Sequence, residues 1–172
     1  MQHQAEVVRI LGLDPGLRHT GWGLIEVKGQ NLSYLRSGII DPCTKENSLA
    51  VRLAELFEKL LVVVKSCQPS EVVVEETFVN KNPTSTLKLG MARGVVLLVP
   101  AHLKLPVFEY TANQVKKSVV GAGHADKNQV AYMVRRILPT APVDMKPDAA
   151  DALAVALCHA HHRLLSRYAQ AV

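Results

Sequence analysis

Residues 7–13 are almost uninterruptedly apolar and β-branched before the chain reaches Asp14-Pro15-Gly16. Such a run reads as a central strand, buried on both faces, that stops at a turn. Residues 21–27 and 32–40 read as two further strands, and Lys28-Gly-Gln-Asn31 between them has hairpin chemistry. No helix fits between these three, so they predict an antiparallel meander. The period then changes. Leu49, Leu53, Leu56, Leu60 and Val64 recur at spacings of three and four, which predicts an amphipathic helix over 48–66 capped by Ser48.

Residues 72–75 read as a short buried strand, 76–84 as a polar loop, 85 to about 103 as a helix and 107–110 as a fifth strand. Thr111 and Gln114 form a capping box for a short helix that Gly121-Ala-Gly123 stops. Asp126 caps a helix running to 138, with Pro139 and Pro142 punctuating its exit, and Asp148 opens a final alanine-rich helix to about 168. The order β-β-β-α-β-α-β-α-α-α predicts an α/β fold. Its sheet is mixed and five-stranded, three antiparallel strands then two parallel ones, with helices on both faces. Right-handed crossovers should join the helix-linked strands.

The 172 residues suit one domain, 1–172, with 1–6 expected to be a disordered lead-in and the tail after about 165 frayed. The longest uncharged apolar stretch, 94–103, falls well short of the ~20 residues of a membrane span. No secretory signal is evident at the N-terminus, so the expected location is the cytoplasm. Cys43, Cys67 and Cys158 show no paired spacing, which argues for reduced thiols over a disulfide framework or a zinc site.

The net charge of +5 is by itself weak evidence for an anionic partner. Its distribution says more. Lys81, Lys88, Arg93, Lys104, Lys116, Lys117, Lys127, Arg135 and Arg136 fall in the middle and later chain, several of them in Gly/Asn/Pro-rich loops. That favours nucleic acid among anionic partners.

Four acids change the picture further. Asp14 and Glu75 each end a buried strand, so parallel pairing would bring both carboxylates out at one edge of the sheet. Asp148 and Asp151 lie three apart on the first turn of the last helix and point the same way. Ala152, Val155 and His159 continue that face, and the alanines around it allow close approach to the sheet. Singly, each acid has an ordinary role as a turn residue, strand end or helix cap. Together they suggest more, because clustered carboxylates repel one another unless a cation sits among them. Oxygen ligands suit Mg2+ or Mn2+. Two such ions ~3.5–4 Å apart activate water and stabilise the leaving oxygen in phosphodiester hydrolysis.

Five stretches then resemble one family. Leu11-Gly-Leu-Asp-Pro-Gly-Leu-Arg-His-Thr-Gly-Trp-Gly is similar to the opening of the RuvC family of Holliday junction resolvases. Val74-Glu-Glu-Thr-Phe-Val-Asn-Lys-Asn, Leu87-Lys-Leu-Gly-Met-Ala-Arg-Gly, Gln114-Val-Lys-Lys-Ser-Val-Val-Gly and Asp148-Ala-Ala-Asp-Ala-Leu-Ala follow in the family order, over about residues 8–163. The resemblance implies an RNase H-like fold and a homodimer that nicks two opposing strands of a four-way DNA junction, in recombination and repair. It implies two Mg2+ per active site, with Mn2+ able to substitute. It matches Asp14, Glu75, Asp148 and Asp151 to the catalytic metal ligands, choosing Glu75 over Glu76. It further implies DNA contacts at Lys116 and Lys127, with Lys81 beside them, and an aromatic, Phe78, that stacks on unpaired bases at the crossover. A branch-migration motor complex of the RuvA and RuvB type is the implied partner.

Three expectations stay open. Gly90 and Gly94 suit either a dimer interface or packing of their helix on its own sheet. His159, His161 and His162, late in the last helix, read as solvated rather than as a metal cluster. Asp-Pro-Gly with Thr-Gly-Trp-Gly also resembles the phosphate loop of actin-like ATPases and sugar kinases, but no adenosine motif accompanies it.

Overall fold

The computed structural model describes residues 6–42, 48–76 and 82–170. The expected lead-in over 1–5 thus lies outside the described residues, as do Cys43, Phe78 and Lys81. Three strands open the fold, β1 (Val7–Asp14), β2 (Thr20–Lys28) and β3 (Asn31–Ile40). They are followed by α1 (Leu49–Cys67), β4 (Glu71–Glu76), α2 (Pro83–His102) and β5 (Val107–Thr111). Three helices complete it, α3 (Ala112–Val120), α4 (Lys127–Ile137) and α5 (Pro147–Gln170). The strands hydrogen-bond in the order β3-β2-β1-β4-β5. The β1–β2 and β2–β3 pairs are antiparallel, and β1–β4 and β4–β5 are parallel. The order of elements and the mixed five-stranded sheet are those the hydrophobic pattern predicts.

The pleat of the sheet divides the core in two. On one face Ile10, Ile25 and Val73 meet Val115, Val134 and Leu153, so α3, α4 and α5 lie on that side. On the other, Leu11, Leu13, Trp22 and Val74 meet Leu56, Leu60 and Val96, which places α1 and α2 there. Glycine and alanine set how closely α5 lies on the sheet. Gly12 and Gly21 face it from the two central strands, and a methyl group on either would overlap an α5 carbonyl oxygen, that of Ala152 or of Asp148. The buried Ala149, Ala152 and Ala156 complete this small-residue seam. Residues 152–160 are all buried, which is why α5 reads as evenly apolar rather than striped.

Local capping explains most helix ends. Ser48 accepts from the Val51 N–H, the expected box of Thr111 with Gln114 forms, and Asp126, expected as a cap, makes a second box with Gln129. Gly121 closes α3 at a φ of 84°, a left-handed conformation that glycine adopts without a Cβ clash. Two helices start earlier than predicted. Asn82 caps α2 by accepting from the Ser85 N–H, so that Pro83 takes the first helical position, where its missing N–H costs nothing. Asp148 does not open α5, which begins at Pro147, and instead sits in its first turn.

The expectation of solvated histidines fails for His159. It is buried against β5, with Tyr110 Oη 3.0 Å from Nδ1, Glu71 Oε2 2.8 Å from Nε2 and the Phe108 ring 4.4 Å away between centroids. Burial holds its pKa below the ordinary value, partly opposed by Glu71. His161 is half-buried and bonds Ser118, while His162 bonds the Cys158 carbonyl. Cys67 and Cys158 are free and buried. No helix among the described residues is long and apolar enough to cross a membrane.

Candidate active site

Asp14 is the last residue of β1, and a hydroxyl clasp fixes the turn beyond it. Thr20, fully buried, donates to the Gly16 carbonyl at 2.8 Å and accepts from the Gly16 N–H at 3.3 Å. Parallel pairing of Leu13 with Val74 carries both strands out together, so Asp14 and Glu75 leave the sheet side by side. Alternation then selects between neighbours. Ile10, Gly12 and Asp14 share the α5 face with Val73 and Glu75, whereas Glu76 projects to the opposite face. The close seat of α5 adds its first turn from above. One oxygen each from Asp14, Asp148 and Asp151 lie within 4.8 Å of one another.

Crowding shows in the protonation of these groups. Burial, reinforced by Glu75, Asp151 and Asp148, pushes the Asp14 carboxyl up to about 8. Glu75 is raised too, first by burial and then by Asp151, while a hydrogen bond with Asp14 and the charges of Lys127 and Lys116 pull it back. Both shifts run the same way: crowding disfavours the charged forms of the two neighbouring carboxyls. Lys127 Nζ lies 3.0 Å from Asp151 Oδ2, and this contact raises the lysine further. Its side chain is 73% exposed, so the pair is weak and readily exchanged. A cavity of about 230 Å3 opens here between Asp14, Glu75, Asp151, Lys116, Lys127 and Val130.

The donor set fits a hard divalent cation. It consists of carboxylate oxygens alone, half-buried and close enough to force proton uptake, and a cation would relieve that repulsion. Asp14 and Asp151 meet Glu75 in one cavity with Lys116 and Lys127 at its rim, while Asp148 joins Asp14 and Asp151 in the oxygen cluster and lines the neighbouring cavity. The Thr20 clasp was not foreseen. Its only sequence signal is a Thr four residues beyond Gly16, a spacing that hydroxyl-to-backbone turns use.

These strands, helices and acids define an RNase H-like fold with a carboxylate cluster at the carboxyl ends of its central parallel strands. The chain belongs to the RuvC family, since the family model for crossover junction endodeoxyribonuclease RuvC matches residues 10–159. A crossover junction endodeoxyribonuclease RuvC of Xanthobacter autotrophicus is 58% identical over 156 residues, 91% of this chain and 91% of that one. The protein of the same name in Gluconobacter oxydans is 55% identical over 157 residues, covering 91% and 92%. Among solved structures, Thermus thermophilus RuvC in complex with a Holliday junction substrate superposes with a TM-score of 0.84 at 33% identity, over 92% of this chain and 96% of that one.

Proposed function

We propose that this chain is a structure-selective endodeoxyribonuclease that resolves four-way DNA junctions by symmetric paired nicks, in recombination and repair. One observation carries the reading: acids from β1, β4 and α5, Asp14, Glu75 and Asp151, line one cavity, and one oxygen each of Asp14, Asp148 and Asp151 lie within 4.8 Å of one another. Family membership supplies the substrate class, because relatives carry the name crossover junction endodeoxyribonuclease and one was solved with a Holliday junction.

In this reading Asp14, Glu75, Asp148 and Asp151 hold two Mg2+ ions, or Mn2+ in their place. When bound, these ions supply an activated water and neutralise the leaving oxygen, giving a 5′-phosphate and a 3′-hydroxyl. The chain's own part is positional. The sheet ends aim Asp14 and Glu75, the glycine seam sets the height of Asp148 and Asp151, and the repulsion that raises both strand-end acids is relieved as charge is compensated. Lys116 and Lys127 hold backbone phosphates at the pocket rim, and Lys127 leaves Asp151 to do so. Phe78 and Lys81 are assigned from the resemblance alone, as a base-stacking aromatic and a phosphate contact.

The acting species is a homodimer. Leu87, Met91 and Leu98 are exposed on α2, and Gly90 and Gly94 between them meet nothing within 4 Å even with a Cβ added. Packing of these glycines on their own sheet is thereby excluded among the described residues, while a self-complementary apolar stripe suits two-fold pairing. A branch-migration motor of the RuvA and RuvB type, in the cytoplasm, is the partner the family suggests.

A synthetic four-way junction with each strand labelled in turn tests the reading on denaturing gels. Paired, symmetric nicks in Mg2+ and Mn2+ but none in Ca2+ are expected. Binding with no nick in any of the three ions would refute it.

A further inference from the structure

We propose that a second, cationic cavity on the far side of Asp148 is a phosphodiester subsite, holding a backbone phosphate that neighbours the scissile one. The inference rests on the nuclease reading for its substrate and extends it to residues without a role so far. The cavity measures about 460 Å3, against about 230 Å3 for the carboxylate pocket. Three elements far apart in the chain build it: Arg18 and His19 in the turn after β1, Arg52 on α1, and Ser85 and Lys88 on α2. Asp148 is common to this wall and to the carboxylate cluster, so the two spaces adjoin.

Its charge is unspent. Arg18 and Lys88 are exposed, and neither makes an ion pair among the described residues. His19 is already committed to Asp41, at 2.5 Å. Arg52 donates from Nη2 to the Leu17 carbonyl at 2.6 Å, which holds the turn, while its buried Nε has no acceptor among the described residues. A buried guanidinium N–H without a partner is costly, and phosphate oxygens are the acceptors that guanidinium groups match best.

The geometry of α2 separates this wall from the dimer stripe. At 100° per residue the centre of the Ser85, Lys88 and Leu89 group lies roughly 140° around the helix from that of Leu87, Met91, Gly94 and Leu98, with Lys88 at the near edge, about 60° from Met91. The group continues instead the face that buries Ala92, Val96 and Val99. Dimer formation through the stripe therefore leaves Ser85 and the cations on other elements, Arg18 and Arg52, clear, with Lys88 at the edge between the two. Lys116 and Lys127 flank the carboxylates on one side and Arg18 and Lys88 on the other, so an acidic centre sits between two basic shoulders. A DNA strand crossing that centre has phosphates on both sides of the cut, and each shoulder can take one.

The test uses the full chain and junctions carrying one neutral methylphosphonate, moved position by position along the strand about the cut. Binding is measured in Ca2+ and nicking in Mg2+. At one position on a single side of the cut, the neutral linkage should weaken wild-type binding about tenfold, the scale of one charge-assisted contact. In a folded R18A/K88A variant the same linkage should cost nothing further, and the salt slope of binding to unmodified DNA should fall by about 0.9, one phosphate contact. If the variant binds unmodified DNA with an unchanged slope, or loses the same tenfold on methylphosphonate, the subsite is wrong. Interference present without any Mg2+-dependent nick would uphold the subsite and refute the nuclease reading.

Discussion

Gly21 lies against the carbonyl of Asp148, with no room between them for a methyl group. A β2 glycine thus sets the distance at which α5 presents its acids to Asp14, the residue paired with Gly21 across the sheet. Gly12, two residues before Asp14, repeats the relationship one helical turn further along, with Ala152 and with the Ala156 N–H, 2.8 Å from an added Cβ.

Gly21→Ala should therefore lift the first turn of α5. Overpacking costs on the order of 1–3 kcal/mol, a fall in Tm of several degrees for a domain of this size. Nicking should fall more steeply than folded fraction, because the carboxylates separate before the core is lost. Calorimetry beside a nicking assay checks this. Equal Tm and equal nicking would mean that the helix relaxes freely.

Asp14→Asn keeps the shape of the pocket and removes one oxygen ligand and one charge facing DNA. Nicking in Mg2+ should drop below detection, while junction binding in Ca2+ stays equal or tightens. A gel shift and a nicking time course decide it, and a normal nicking rate is the adverse result.

The proton on Asp14 has a consequence for stability without cations. Its pKa rises from 3.8 to about 8, so the native state binds that proton more tightly than the unfolded chain does. The contribution is fully present below about pH 4 and is lost as pH rises through about 8. In EDTA, the Tm of Asp14→Asn should gain on the wild type by a few degrees between about pH 5 and pH 8. Mg2+ should restore the wild type at the upper end. A difference that stays constant across the range contradicts this origin.

Lys116 is half-buried at the rim of the carboxylate cavity. Lys116→Ala should weaken junction binding and reduce the log–log salt slope by about 0.9, one phosphate contact. A slope equal to wild type removes it from the DNA surface.

Met91→Glu places a charge in the exposed stripe of α2, away from both cavities. On the proposed dimer, sedimentation should show a dimeric wild type and a monomeric variant, with a cooperative melt that is lower and no longer rises with protein concentration. Paired nicking should give way to single, uncoordinated nicks. A dimeric Met91→Glu would move the interface elsewhere.

Much of this molecule is legible from local pattern. The apolar run of β1, the hairpin residues between β2 and β3, the capping residues Thr111 and Asp126 and the αL glycine at 121 each act within a few residues, so their signals survive in the linear chain. Legibility stops where a side chain answers to a distant one. His159 reads as a surface histidine until β5 lays Phe108 and Tyr110 across it and β4 brings Glu71. Arg18, Arg52 and Lys88 carry no shared signal, because only the packing of α1 and α2 on the sheet brings them to one cavity.

The chain by itself determined the kinds and order of the elements and the strand-end acids, since hydrophobic period and capping are short-range. The choice of Glu75 over Glu76 came from the family motif, with alternation allowing only one of the two to face the site. Tertiary structure decided how near those acids stand, how far burial and crowding raise Asp14 and Glu75 and where positive charge is left unpaired. Those quantities depend on non-local contacts, above all the glycine seam under α5, and they vary with ångström-scale approach that no linear pattern encodes.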